Sequence, residues 1–309
     1  MGKRRLDVRI GAVDLSSPVM IASGTCGYGS ELLELSGFDW DAVGAVVLKG
    51  TTLNPRKGNP PPRIAEVPGG VINSIGLENP GVDKVVSQIL PKLTALPAAV
   101  IANVAGFTVA EYVEVTARLS SAEKVSAIEL NVSCPNVEEG SAEFGQKKEG
   151  LAELVSAVRK ATELPLIVKL SPDVQPIIEL AKAALDSGAD ALSLVNTAKA
   201  MAIDVRSRKP VLGNATGGLS GPALKAIAVE RVHEVFSATP GTKIIGMGGI
   251  SSAEDALEFV MAGASAVAVG TSFLIDPNVC SRIASGIADY LDEHGMDSLQ
   301  QLVGTASGS

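Results

Sequence analysis

Histidine, cysteine and aromatic side chains are all scarce in this 309-residue chain, and each shortage closes off a chemistry. The two histidines, His233 and His294, fall in a helical segment and near the C-terminus, where they read as structural or solvated. Three cysteines, Cys26, Cys134 and Cys280, are an odd and sparse set. They make no disulfide framework, so a reducing cytoplasm fits, and they are too few for a four-cysteine iron–sulfur cluster. No cluster of His, Cys and Asp shows metal-ligand spacing. Aromatics are 3% of the chain, so Ala, Val, Ile and Leu must build the large core that 46% hydrophobic content allows. Positive charge is short too: 26 Lys and Arg against 34 Asp and Glu leave a net charge of −8. That argues against nucleic acid or an anionic membrane as the main partner, while leaving room for a local basic pocket. No apolar stretch is long enough to span a bilayer, and the basic N-terminus lacks the apolar run of a signal peptide. The chain reads as soluble and cytoplasmic.

What is present is an alternation. Short β-branched runs recur at residues 18–22, 45–49, 99–104, 127–132, 164–170, 191–197, 242–248 and 266–271, with amphipathic segments between them. Leu151, Leu154, Val155 and Val158 repeat at helical spacing, as do Ile177, Ile178, Ala181 and Leu185. Strand–helix alternation means parallel pairing, and eight units close into an α/β (β/α)8 TIM barrel, here a single domain over 1–309. The strand runs lack period-two alternation, which agrees with burial on both faces. Residues 6–10 and 12–15, joined through Gly11, read as a short hairpin that plugs the barrel floor, and 304–309 as a frayed tail.

Nearly every strand ends in polar or glycine residues, and in a parallel barrel those ends converge on one rim where ligands bind. Ser23, Lys49, Gly50, Asn103, Asn131, Lys169, Asn196, Thr197, Gly248, Gly249, Gly270 and Thr271 all stand there. The fourth strand is the most informative. An apolar run, 127–130, gives way to Asn131, Ser133 and Cys134, and Pro135 stops the strand. With no His, Asp or Glu at the strand ends, Cys134 is the one rim base. Loops 246–251 (GMGGIS) and 269–272 (VGTS) stand where barrels bind phosphate on backbone N–H groups and a helix N-terminus. The first is no dinucleotide fingerprint, because Ser251 replaces the third glycine and no acidic residue follows at the required place. The turn TGGLSGPA puts Ser220 at a helix N-cap, with Pro222 in the first turn. Lys49 and Lys169 sit in apolar strands, so each should meet a carboxylate or a ligand anion. A strand lysine also keeps a Schiff-base reading open.

IASGTCGYG, LKGTT with NPRKGNPPPR, NSIGLENPG, IANVAG, ELNVSCPN, VKLSP, LVNT, GGLSGPA, IIGMGGI and AGASAVAVGT, in this order and spacing, resemble the dihydroorotate dehydrogenase family over nearly the whole chain. The resemblance is to class 1B, the catalytic subunits of the NAD-linked enzymes. Class 2 members carry a membrane segment and a Ser base, which this chain lacks. Class 1A members continue SCPNV with a GKPQ-like run, where this chain has EEGSAEFG. Cys26, where some relatives have an aromatic, and Val195, where Ile is common, are small departures.

The resemblance implies FMN-dependent oxidation of dihydroorotate to orotate in pyrimidine biosynthesis. Cys134 takes the C5 proton as general base while hydride leaves C6 for flavin N5. Substrate contacts carry over to Lys49, Asn73, Ser74, Ile75, Gly76, Leu77, Asn131, Asn196 and Thr197. FMN contacts carry over to Ser23, Lys49, Gly50, Asn103, Asn131, Lys169, Val195, Gly221, Gly248, Gly249, Gly270 and Thr271, with no metal. Residues 136–150 read as a lid. A partner subunit would carry FAD and a 2Fe–2S cluster, forming a heterotetramer of two of each around a homodimer core. Alternatives are a class 1A fumarate-linked enzyme, a related dihydropyrimidine dehydrogenase, a non-redox phosphosugar or Schiff-base barrel using Lys169, and a non-catalytic flavin-binding scaffold.

Overall fold

The eight expected strands form in register. They are β1 (Val19–Ile21), β2 (Ala45–Val47), β3 (Ala99–Val104), β4 (Val125–Asn131), β5 (Leu166–Leu170), β6 (Ala191–Leu194), β7 (Lys243–Met247) and β8 (Ala266–Val269). The computed structural model describes residues 6–132, 144–174 and 176–307. Each strand pairs in parallel with its neighbours in chain order, and β8 pairs with β1 to close the barrel. Every residue of β1, β2, β5, β6 and β8 is buried, as the unbroken apolar runs require of strands covered on both faces.

The inward alternation builds the barrel interior from Met20, Val47, Ile101, Ala127, Ile167, Ala191, Ile245 and Ala266. Ile10 and Leu15 join the same cluster from the antiparallel hairpin Val8–Ile10 and Val13–Leu15, so the hairpin does plug the floor. Its Gly11 turn rests against Pro165 at the foot of β5.

Six of the eight β/α units carry helices as expected. α1 (Val109–Ser120), α2 (Lys148–Arg159), α3 (Ile177–Asp186), α4 (Lys225–Ala238), α5 (Ala253–Ala262), α6 (Thr271–Ile275) and α7 (Val279–Glu293) wrap the barrel. Leu151, Leu154, Val155 and Val158 are each 0% exposed on the inner face of α2. Each such side chain contributes on the order of 1.5–3 kcal/mol before its entropy cost. The first two crossovers differ. β1 leads to β2 through the short 3-10 turns Ser30–Glu34 and Trp40–Ala42. Between β2 and β3, the stretch from Val82 to Ala95 changes pitch, from Val82–Lys84 through a widened turn Val85–Ile89 to the 3-10 segment Leu90–Ala95. Pro91 has no N–H for the ladder, which accounts for the tightening there.

One feature was absent from the expected barrel. A four-stranded antiparallel sheet lies over the mouth, in the order Ala198–Ala200, Gly217–Ser220, Gly70–Asn73, Ile64–Val67. It ties the loop after β2 to the loop after β6 through pairs such as Gly218 with Asn73. The tail also differs from expectation. Gly304 donates to the carbonyl of Val260 at 3.0 Å and Thr305–Ser307 forms a 3-10 turn, so the segment packs on α5 through residue 307.

Candidate active site

Strand ends and mouth sheet enclose a cavity of about 500 Å³ at the C-terminal rim, a size suited to a small-molecule ligand. Its wall takes Ser23 from beyond β1, and Lys49 and Gly50 from beyond β2. The mouth strand Gly70–Asn73 and the loop that follows it supply Asn73, Ile75, Gly76 and Leu77. Asn131 ends β4, Lys169 stands in β5, and Val195, Asn196 and Thr197 follow β6. Gly221, Gly248, Gly249, Gly270 and Thr271 complete the ring. Residues spread over the whole sequence thus meet where the motifs placed them.

Two expected contacts lie off this wall. Ser74 is 1% exposed, and its hydroxyl accepts from Asn59 Nδ2 at 2.9 Å and Asn214 Nδ2 at 3.3 Å. It braces the mouth loop. Asn103 is buried below the wall, against Glu129. Cys134 lies outside the described residues, as does 136–143 of the expected lid.

The polar residues on the wall are held by backbone and neighbours. Tyr112 of α1 donates its hydroxyl to the Asn131 carbonyl at 2.7 Å, fixing the end of β4. Asn196 donates Nδ2 to Asn131 Oδ1 at 3.4 Å and accepts from Thr197 N at 2.8 Å. Asn79 secures the mouth loop, accepting from Thr52 N and Gly81 N while donating to Thr52 Oγ1 and the Leu77 carbonyl.

Lys49 has no carboxylate within ion-pair distance among the described residues and faces the cavity. Burial lowers its pKa below that of a free lysine. Glu78 works against that shift, and Arg63 adds to it. Its expected partner is therefore left to a ligand anion. Lys169 is 6% exposed in β5. Cys26 and Cys280 are buried thiols, each pushed up to about 12 chiefly by desolvation, so they pack as small hydrophobes.

The glycine loops behave partly as expected. Ser220 does not cap a helix: strand pairing with Val71 runs through it, and Gly221 takes the N-cap position before Pro222. The Ser220 hydroxyl instead accepts from Thr271 Oγ1 at 2.8 Å. The N-terminus of α5 is closed by its own Ser252–Asp255 capping box. The start of α6, at Gly270 and Thr271, carries no side-chain cap and borders the cavity.

Reading 127–130 as apolar passes over Glu129, which is 1% exposed in the middle of β4. A carboxyl inside a strand buried on both faces was the signal. The mouth strands had one as well, in the PGG turn between two short extended runs.

Fold and site together define a (β/α)8-barrel protein with a polar ligand cavity at its C-terminal rim. The family model for dihydroorotate dehydrogenase matches residues 5–291, and the chain belongs to that family. It is 50% identical over 300 residues to the dihydroorotate dehydrogenase B (NAD(+)) catalytic subunit of Geobacillus sp. (strain WCH70), covering 97% of this chain and 95% of that protein. The protein of the same description from Desulforamulus reducens is 49% identical over 304 residues, covering 98% and 99%. Among solved structures, DHODH from Eimeria tenella in complex with ferulenol superposes with a TM-score of 0.82 at 25% identity, over 98% of this chain and 89% of that one. Among the described residues, no helix is long and apolar enough to cross a membrane, and no cluster of His, Cys, Asp and Glu is arranged to hold a metal.

Proposed function

We propose that the chain oxidises dihydroorotate to orotate, in pyrimidine biosynthesis, with FMN as its resident cofactor. The observation that carries this reading is the cavity's set of polar groups: Asn73, Asn131 and Asn196 share one wall with the Lys49 ammonium. Orotate is a planar ring of amide groups bearing one carboxylate. Asparagines both donate and accept, which suits the ring, and a lysine suits the carboxylate.

The same residues fit a flavin mononucleotide. Asn103 Oδ1 is buried without a hydrogen-bond partner among the described residues and lies beside cavity-lining Gly50, an acceptor suited to a ring N–H. Lys169 favours negative charge on a ring above β5. A Cβ at Gly270 would meet nothing nearer than the Ala22 and Thr25 side chains at 3.7 Å, so the space beside this backbone is open to a phosphate on N–H groups. When bound, FMN supplies the hydride acceptance that no side chain offers. The residues proposed to hold it are Ser23, Lys49, Gly50, Asn103, Asn131, Lys169, Val195, Gly221, Gly248, Gly249, Gly270 and Thr271. Lys49, Asn73, Asn131, Asn196 and Thr197 orient the substrate, with Ile75 to Leu77 closing over it. Cys134 removes the ring proton as general base.

The test is anaerobic mixing of the purified protein with dihydroorotate, followed by flavin absorbance. Bleaching supports the reading. A yellow protein that stays yellow is a flavin scaffold, and a colourless protein trapped by borohydride with its substrate is a Schiff-base barrel.

Lys49 sets a pH dependence. In the free protein its ammonium loses its proton below the pH at which a free lysine would, because burial disfavours the charge. A bound carboxylate favours the charged form and raises the pKa again. Between those two values, binding takes up a proton, so orotate affinity falls as pH rises through that alkaline window and is flat below it. Titration calorimetry at several pH values should show this limb, and Lys49→Met should abolish it along with most of the affinity.

The second expectation concerns the oxidant. Three cysteines and no dinucleotide fingerprint leave this chain without means to pass electrons to NAD. Its relatives are described as catalytic subunits of NAD(+) enzymes, which supports a separate partner subunit; we propose that this partner carries FAD and an iron–sulfur cluster. The isolated chain should reduce dyes with dihydroorotate and show negligible NAD reduction in steady-state assays. Co-expression with that subunit should restore NAD activity in a heterotetramer. Robust fumarate reduction by the chain alone would instead place it with the class 1A enzymes.

A further inference from the structure

Glu129 has no part in the chemistry above, yet it occupies the barrel interior at the foot of the site. An acidic side chain there is costly unless its oxygens are hydrogen-bonded, and the neighbouring layer is filled by Ala127 and Ile167 at no such cost. Both oxygens are satisfied. Oε1 accepts from Asn103 Nδ2 of β3 at 2.7 Å, and Oε2 accepts from Ser193 Oγ of β6 at 2.7 Å. Glu129 thus joins strands on both sides of the β4–β5 pair.

The consequence is directional. An asparagine amide has a donor end and an acceptor end, and Glu129 engages the donor end of Asn103. That turns Oδ1 the other way. A Cβ on Gly50 would stand 3.0 Å from Asn103 Oδ1 and 4.0 Å from Asn131 Nδ2, and both Gly50 and Asn131 line the cavity. Asn103 is 1% exposed and its Oδ1 has no hydrogen-bond partner among the described residues. With Nδ2 outward, the same site would present a donor.

We propose that Glu129 is a positioning residue: by holding the Asn103 amide in one of its two orientations, it fixes an acceptor at the cavity floor and selects a ring that offers an N–H there. The proposal rests on the reading that the cavity takes FMN. An apolar residue at 129 would fill the barrel equally well and leave the amide free to turn. A glutamine can reproduce the arrangement, because its carbonyl accepts from Asn103 while its amino group donates to the Ser193 hydroxyl, which accepts as readily as it donates.

The test uses the full-length protein, stripped of flavin and titrated with FMN by fluorescence quenching, with the bound flavin's absorbance spectrum recorded alongside. Glu129→Leu is expected to weaken FMN by about tenfold or more and to alter the spectrum, while Glu129→Gln, which still accepts from Asn103, keeps both near wild type. A merely structural role for Glu129, filling the barrel, predicts no such split between leucine and glutamine. Wild-type affinity and spectrum in E129L, or an E129Q no better than E129L, overturns the proposal. Should E129L fail to fold, Asn103→Leu decides: it keeps side-chain size, leaves the bond from Ser193 to Glu129, and removes the acceptor. A similar loss of FMN affinity supports the proposal, and wild-type affinity overturns it. A wild-type protein that takes up no FMN fails the functional reading itself, and this proposal falls with it.

Discussion

Replacing Cys134 with alanine is expected to leave a folded, FMN-containing protein whose reduction by dihydroorotate is slowed ~10²–10⁴-fold, the range typical of losing a general base. The effect should be that large because nothing on the cavity wall can stand in. Cys26 and Cys280 are buried, and their raised pKa values keep them protonated. No histidine lines the cavity, and its one carboxylate among the described residues is Glu66, on the mouth sheet. The end of β4, three residues before Cys134 in sequence, is fixed, since Tyr112 clamps the Asn131 carbonyl. The wild-type rate should rise with pH as the thiol loses its proton, and Cys134→Ser, with a far weaker acid at that place, should lose that rise. Rapid-mixing measurements of flavin bleaching under anaerobic conditions read both effects. A wild-type rate in C134A would remove Cys134 from the mechanism and direct attention to Glu66.

The barrel was legible because of where its strands sit. A strand buried on both faces is apolar at nearly every position, so β3 stands out as AVIANV, with Asn103 its one polar residue, and coincides with the expected run. Elsewhere the expected strands run past the sheet into the rim. The apolar run 45–49 places Lys49 in a strand, but its N–H leaves the ladder to reach the Gly27 carbonyl at 2.9 Å. The rim residues are extended like strand residues and polar like loop residues, so sequence pattern alone cannot fix the boundary between the two. That ambiguity is also why the site was visible: polar groups ending apolar runs have few other uses.

What stayed hidden depended on long-range pairing. Gly217–Ser220 is too short and too glycine-rich to read as a strand, and its partner Gly70–Asn73 lies far away in sequence. Nothing local marks the pair. Ser74 shows the same limit at a single residue. It belongs to the motif NSIGLENPG beside Asn73, yet its hydroxyl binds Asn59 and Asn214, because adjacent residues at the end of a strand face opposite ways. Motif membership brings the loop to the cavity and cannot say which of its side chains face it. Glu129 is the opposite case, a residue whose chemistry was plain in the sequence and whose use depends on donors from two other strands.

Gly249→Val should yield protein that purifies without FMN and melts at a lower temperature than wild type. The sequence alone places this side chain in the space where backbone N–H groups approach a phosphate. The structure moves the collision elsewhere. A Cβ at Gly249 would stand 2.8 Å from the Gly221 carbonyl oxygen and 2.9 Å from Lys225 N and Cβ, so the side chain would press into the neighbouring loop. Its φ of 85° adds strain for a β-branched residue, of order 1–3 kcal/mol. Neither neighbour can give way cheaply. Lys225 is held by Asp255 and Glu258, each at 2.8 Å, and Gly221 already packs with its own Cβ direction 2.7 Å from Gly70 Cα. Displacing Gly221 therefore disturbs the mouth sheet as well as the glycine rim, and both border the same cavity. Gly249→Ala meets the same two backbone atoms without β-branching and should fall between wild type and valine in flavin content. Flavin content read from the visible spectrum, beside a thermal melt, separates the outcomes. A G249V protein that melts lower yet keeps its full complement of FMN would show that this loop supports the fold without holding the cofactor.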